Sequence, residues 1–218
     1  MKFLYPTTIL LQLSQAYHYI PYKQIRHLFL DMYHIIHPKN VSLEHIVPQS
    51  LFKKQQPELS RDMHNLMLYP VLLNSHRSNY RYSNELVLDD TTTILSNSGE
   101  KCLYTGPFNH IGICLKSNKK RIYYPRPFYR GKIARACMYM AMTYPAFRDT
   151  IFTDVINPYV LLTWHHEQPV SGFEVRKNDA ILKLQGNENI YVSNPENLLK
   201  DMESYLGKRI DIYHHYKW

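Results

Sequence analysis

Apolar residues recur at helical intervals over two early stretches, 8–18 (Leu10, Leu13, Tyr17) and 21–36 (Ile25, Leu28, Leu30, Met32). Pro21 heads the second stretch and suits a first helical turn, where a missing N–H costs nothing. "HPKN" (37–40) breaks the pattern, and "SLEHIVPQS" (42–50) reads as a short apolar strand ending at Pro48. A polar loop, "KKQQPELSR" (53–61), leads to a second apolar stretch, "MHNLMLYP" (63–70). In "VLLNSHRSNYRYSNE", Leu72, Asn74, Arg77, Ser78 and Arg81 recur every three or four residues, which predicts a helix with one polar face. The order is therefore strand, loop, strand, helix.

Residues 89–118 are rich in Thr, Ser, Asn and Gly and read as turns and short strands. Helices are predicted over 131–145, where Ile133, Cys137, Met140 and Met142 partly share a face, and over 157–169 and 171–187. Gly186 looks like the C-terminal cap of the last. No internal repeat and no long linker divides the chain, so one domain over 1–218 is expected.

With 218 residues, 44% of them apolar, a folded core is expected rather than disorder. The formal charge of +8 points to an anionic partner. That charge is uneven: residues 1–109 carry 10 Lys+Arg against 8 Asp+Glu, and residues 110–218 carry 16 against 10. "KSNKKRIYYPRPFYRGK" (116–132) holds seven basic residues, no acid and four aromatics. Its Lys119, Lys120, Arg121, Arg126, Arg130 and Lys132 could neutralise phosphates while the rings stack on bases or pack in turns. A solvated basic loop has the same composition.

Cys102, Cys114 and Cys137 cannot all pair and show no C-x-x-C spacing, which argues against a disulfide framework and a zinc finger. No run of 18 apolar residues exists, so no membrane-spanning helix is expected. "MKFLYPTTILLQLSQA" resembles a weak signal peptide, yet Pro6, Thr7 and Thr8 interrupt it and its leucines fit a structured helix equally well. On the cysteine count and this N-terminus, a cytoplasmic or nuclear location is favoured over a secreted one.

The chemistry lies in Glu44, His45 and Asn74. A carboxylate and an amide oxygen are hard ligands, and two of them suit Mg²⁺, which keeps several waters and takes its remaining oxygens from phosphate. A neutral His beside such a site can act as general base near pH 7. Together they suggest metal-assisted hydrolysis of a phosphodiester. Neighbours in a strand point to opposite faces, so Glu44 and His45 can share a site only where the strand twists, bulges or ends. Taken alone, the pair also fits an accident of the surface, and Asn74 a helix cap.

"LEHIVPQS", "DMHNL", "LNSHRSNYRYS", "GKIARACMYMAMTYP" and the stretch from "LLTWHHEQP" to "QGNENIYV" follow in that order. In order and content they resemble the endonuclease I family of ββα-metal (His-Me finger, HNH-like) nucleases, over roughly residues 10–195. The resemblance implies an α+β fold, with a small ββα-metal motif over about 42–82 inside a mainly helical single domain. By the same likeness Glu44 and Asn74 hold the metal and His45 is the general base, while Asp62 and His64 orient the site from behind or serve the structure alone. Arg77, one turn after Asn74, is read as a phosphate contact or a helix-locking ion pair. The family's loop between the strands often carries an arginine that steadies the scissile phosphate; here the loop is short, with Arg61 nearest and Lys53 and Lys54 as substitutes. Other departures are Leu68 where Pro is usual, and Ile190 where the final motif has Pro. The implied activity is Mg²⁺-dependent, largely sequence-nonspecific cleavage of DNA, and of RNA as a second substrate, to 5′-phosphate and 3′-hydroxyl ends. Mn²⁺ or Ca²⁺ could replace Mg²⁺ in binding. A monomer with no membrane partner is expected, and the sequence names no protein inhibitor. The alternative is a nucleic-acid-binding protein that kept the scaffold and lost catalysis.

Overall fold

A computed structural model describes residues 20–33, 41–84, 93–95, 112–116, 121–125 and 127–211. The helix predicted over 8–18 and the segment "HPKN" lie outside the described residues. The first described element is α1 (Tyr22–Met32), entered through Pro21, which buries Ile25, Phe29 and Leu30. Strand β1 (Val41–His45) pairs antiparallel with β2 (Leu66–Pro70), from Val41 opposite Pro70 to His45 opposite Leu66. Between them the chain runs through 3-10 turns at Gln49–Leu51, Pro57–Arg61 and Met63–Asn65. Helix α2 (Val71–Arg77) follows β2 directly, completing the ββα order read from the sequence.

Helix α2 is shorter than the three-and-four spacing suggested. Ser78 takes a positive φ of 50°, which an L-residue adopts at some cost and which ends the helix. Arg81 then enters β3 (Arg81–Tyr82) instead of continuing a polar face. Strand β3 lies parallel to β6 (Arg121–Pro125), which pairs antiparallel with β5 (Gly112–Lys116). β5 in turn pairs antiparallel with β4 (Thr93–Leu95), giving the order β3-β6-β5-β4. Within the basic segment 116–132, Lys116 and residues 121–125 are thus strand, and residues 127–132 open the next helix.

Helix α3 (Pro127–Thr143) runs through the core. Every residue from Ile133 to Ala141 is buried, so it is covered on all sides rather than along one face. The short α4 (Arg148–Thr150) and a π-helical turn (Ile151–Val155) lead to α5 (Pro158–Glu167), whose last turn holds His165 and His166. Helix α6 (Gly172–Gln185) opens with a reciprocal cap between Ser171 and Glu174 and closes at Gly186, at φ 89°. Helices α7 (Ile190–Ser193) and α8 (Asn197–Leu206) complete the described chain. No described helix is long and apolar enough to cross a membrane.

One buried cluster joins β2, α3, α5 and α8 through Tyr69, Met138, Trp164 and Met202, among others. A second joins α1 to the strand pair and α6 through Phe29, Leu43, Leu66 and Ile181. The β1–β2 pair is wedged between these two clusters, which fixes where its ends lie. Gly131 permits the close passage of α3 beneath the chain after α5: a Cβ there would meet the Gln168 carbonyl oxygen at 2.6 Å. Gly131→Ala is therefore expected to destabilise the fold by about 1–3 kcal/mol. Urea unfolding checks this, and a variant as stable as the native chain would show that the contact yields freely.

Candidate metal centre and active site

Alternation along β1 sends Ser42 and Glu44 towards α2, and Leu43 and His45 towards α1. Glu44 Oε1 accepts from Arg77 Nη1 at 2.6 Å, whereas the His45 ring stacks on Tyr22 with centroids 6.0 Å apart. The two still meet in one place because β1 ends at His45. Glu44, His45 and Asn74 all border a cleft of about 250 Å³ at that end, with Gln49 and Ser78 on its rim.

Asn74 is held so that one of its two amide atoms is left for a ligand. Its Nδ2 donates to Ser42 Oγ at 2.9 Å and to the Leu43 carbonyl at 3.0 Å. Both N–H groups are thereby used, and Oδ1 is the atom remaining. Glu44 is 4% exposed and gives Oε1 to Arg77, so Oε2 is its oxygen with no protein partner among the described residues. Burial pushes the Glu44 carboxyl up to about 7, against the opposing pull of Arg77. A buried carboxylate of this kind gains from a second positive charge. Two hard oxygens beside one another, one on a destabilised anion, fit a divalent cation such as Mg²⁺.

His45 Nε2 lies 2.9 Å from the Ser60 carbonyl. A carbonyl can only accept, so Nε2 carries the proton and Nδ1 keeps its lone pair. Burial lowers the His45 pKa below its ordinary value, the Ser60 bond opposes this and Arg77 adds to it. The imidazole is therefore neutral at pH 7.

Several other expected site residues are placed differently. Arg77 is 1% exposed, although it lines the same cleft. Besides Glu44 it donates to the carbonyls of His45 and Ile46, both at 2.7 Å, and its guanidinium lies 4.6 Å over the Tyr82 ring. Of its two readings the ion pair is present: Nη1 and Nη2 are engaged, and Nε has no partner among the described residues. Asp62 is fully buried and turned away from the cleft: it accepts from Tyr139 at 2.8 Å, Tyr144 at 2.6 Å and Gln185 at 3.1 Å. His64 also points into the core, where its Nε2 meets the Asn187 carbonyl at 3.1 Å. Neither touches Glu44, His45 or Asn74. They fasten the turn that presents the Ser60 carbonyl, so their effect on the base passes through the backbone.

Among the basic residues, Arg130 is buried, donating to the Pro125 carbonyl and lying over the Tyr124 and Trp164 rings. It is packed in the core rather than on an exposed face. The Lys132 ammonium sits 3.9 Å from the Phe128 ring centre, half-buried. Arg121 opens β6 opposite Lys116, and Lys119, Lys120 and Arg126 lie outside the described residues. Arg61 is exposed, directly after Ser60, as are Lys53 and Lys54. The sequence reading missed Asn65, which clamps the chain just past β1: its Oδ1 accepts from Val47 N at 2.7 Å and its Nδ2 donates to Val47 O at 3.0 Å.

A profile of the family described as endonuclease I matches residues 37–196. The chain belongs to the endonuclease I family. Among curated proteins it is 27% identical over 144 residues to an extracellular deoxyribonuclease of Aeromonas hydrophila, covering 62% of this chain and 50% of that one. A periplasmic deoxyribonuclease of the same organism is 28% identical over 144 residues, covering 62% and 48%. The chain thus spans about half the length of the curated relatives it matches. The expected cytoplasmic or nuclear location is corrected by these relatives, which are extracellular and periplasmic proteins. A low cysteine count permits a reducing compartment without requiring one.

Two predictions follow from the buried charges. Arg77→Met leaves Glu44 without its counter-charge and should cost about 3–5 kcal/mol in urea unfolding, part of which Glu44→Gln restores in the double variant. A single variant as stable as the native chain contradicts this. Burial also lowers the His64 pKa from 6.5 to about 4. The unfolded chain then binds more protons between those values, so stability is full above 6.5 and falls as the pH drops towards 4. The loss from this group is about 3 kcal/mol across that interval. His64→Gln should flatten the decline, and an unchanged slope would assign it to other groups.

Proposed function

We propose that this chain is a metal-dependent endonuclease that hydrolyses phosphodiester bonds of DNA with little base preference. The observation that carries this reading is the setting of Asn74, whose amide nitrogen is consumed by Ser42 and Leu43 so that Oδ1 joins Glu44 and His45 at one cleft. Family membership and the deoxyribonuclease relatives support the substrate.

Glu44 Oε2 and Asn74 Oδ1 would hold the cation, with Mg²⁺ the best fit and Mn²⁺ or Ca²⁺ able to bind in its place. When bound, it supplies Lewis-acid stabilisation of charge on the phosphate and on the departing oxygen. His45 Nδ1 accepts a proton from the attacking water, and the Ser60 carbonyl, taking the Nε2 hydrogen, stabilises the imidazolium that results. Departure of the 3′ oxygen leaves 5′-phosphate and 3′-hydroxyl ends. No step uses the ribose 2′-hydroxyl, so RNA is a second substrate. Arg61, exposed one residue beyond Ser60, would steady the scissile phosphate. Phosphate contacts without a base-reading helix give affinity without sequence choice. The relatives' locations support a secreted or periplasmic enzyme.

Plasmid nicking with Mg²⁺, with EDTA, and with His45→Ala tests the whole reading. Cleavage should need the metal, and His45→Ala should lose at least a hundredfold in rate while still shifting DNA on a gel. Gel shifts without metal-dependent nicking by the native chain would instead identify a binding protein.

A further inference from the structure

We propose that the cavity walled by β2, α3 and α6 binds a small amphipathic anion, with an apolar or aromatic body and one acidic head group. The cavity encloses about 670 Å³, within the range of sites for drug-sized ligands, and shares no lining residue with the Glu44–His45–Asn74 cleft. Its wall is mostly apolar, with Tyr33, Tyr69 and Phe173 supplying ring faces and Ile181 and Leu68 supplying aliphatic surface.

Two lysines, Lys132 and Lys177, are among its lining residues. Lys177 Nζ donates to the Leu66 carbonyl at 2.7 Å and lies 4.8 Å from the Phe29 ring centre, against residues that are themselves fully buried. Lys132 Nζ rests over Phe128, with the Phe173 ring centre 5.7 Å away. Neither has a carboxylate within 4 Å among the described residues. The acid on the wall, Glu174, is already held by Arg135 through bonds of 2.8 and 3.0 Å. Burial accordingly drives the Lys177 pKa down to about 8 and lowers that of Lys132 as well.

Ammonium ions held in apolar surroundings are costly, and Glu174, already bonded to Arg135, offsets that cost only in part, so an anionic group brought near the two lysines would be favoured. A neutral or cationic ligand gains nothing from the pair. A duplex cannot enter a space of this size, so Lys132, which the sequence placed on the nucleic-acid face, serves a small molecule here. Aromatic and aliphatic walls take an apolar body, and the two cations select its head.

Titration of the whole native chain with the fluorescent aromatic sulfonate 8-anilinonaphthalene-1-sulfonate tests the site. One saturable site per chain is expected, with dodecanoate displacing the probe at least tenfold more effectively than dodecyl alcohol. Lys132→Met and Lys177→Met should each weaken probe binding at least tenfold. Lys177 also supports the Leu66 carbonyl, so Lys132→Met and the head-group comparison on native protein carry the test if Lys177→Met does not fold. Absence of a saturable site, equal displacement by the alcohol, or native affinity in Lys132→Met would each overturn the proposal.

Discussion

The structure turns on the Arg77 guanidinium at the end of β1. Where β1 leaves β2, the carbonyls of His45 and Ile46 lose their ladder partners, and Glu44 has been carried out of water beside them. Arg77 answers all three with bonds of 2.6 to 2.7 Å. A lysine, with one point of charge, could not span that geometry as a planar fork does. Tyr82 lies beneath the guanidinium and donates its own hydroxyl to the Ile46 carbonyl, which ties the strand end to the second sheet. The arrangement gains little net energy over an apolar one, since desolvation offsets much of the attraction. Its value is positional: it lets a carboxylate be buried with one oxygen fixed and the other left over.

Burial then acts on both neighbours in the same sense, towards neutrality, with opposite usefulness. It raises the Glu44 carboxyl and lowers the His45 imidazole. For a base, neutrality at pH 7 is the working state. For a carboxylate it is an unmet need, which the proposed cation would answer. One physical effect thus prepares two different groups.

Much of this could be read along the chain because local rules set it. The ββα order and the cap of α6 at Gly186 follow from strand, turn and helix signals at short range, whereas the grouping of Glu44, His45 and Asn74 rested on the resemblance to the endonuclease I family. The fate of the cations could not be read that way. Arg77, Arg130 and Lys132 have the composition of a phosphate-binding surface, but whether a charge faces water depends on what packs over it. Arg130 is covered by Tyr124 from the strand just before its helix and by Trp164 from a helix distant in sequence. Strand β3 escaped notice for a related reason: two residues have no period, and their partner in β6 lies about 40 residues on. Asp62, read from the sequence as orienting the site from behind, touches none of Glu44, His45 and Asn74 and is held by Tyr139, Tyr144 and Gln185.

The turn that hands Ser60 to the imidazole is bolted down by Asp62, whose three bolts come from Tyr139, Tyr144 and Gln185. The aim of the base is therefore set by side chains as far as 123 positions downstream. An excised strand–strand–helix hairpin would keep all three reactive groups and lose the orientation of one. This scaffold is not a cartridge to be moved into a new host: the reacting unit and its distant helices form one mechanical part.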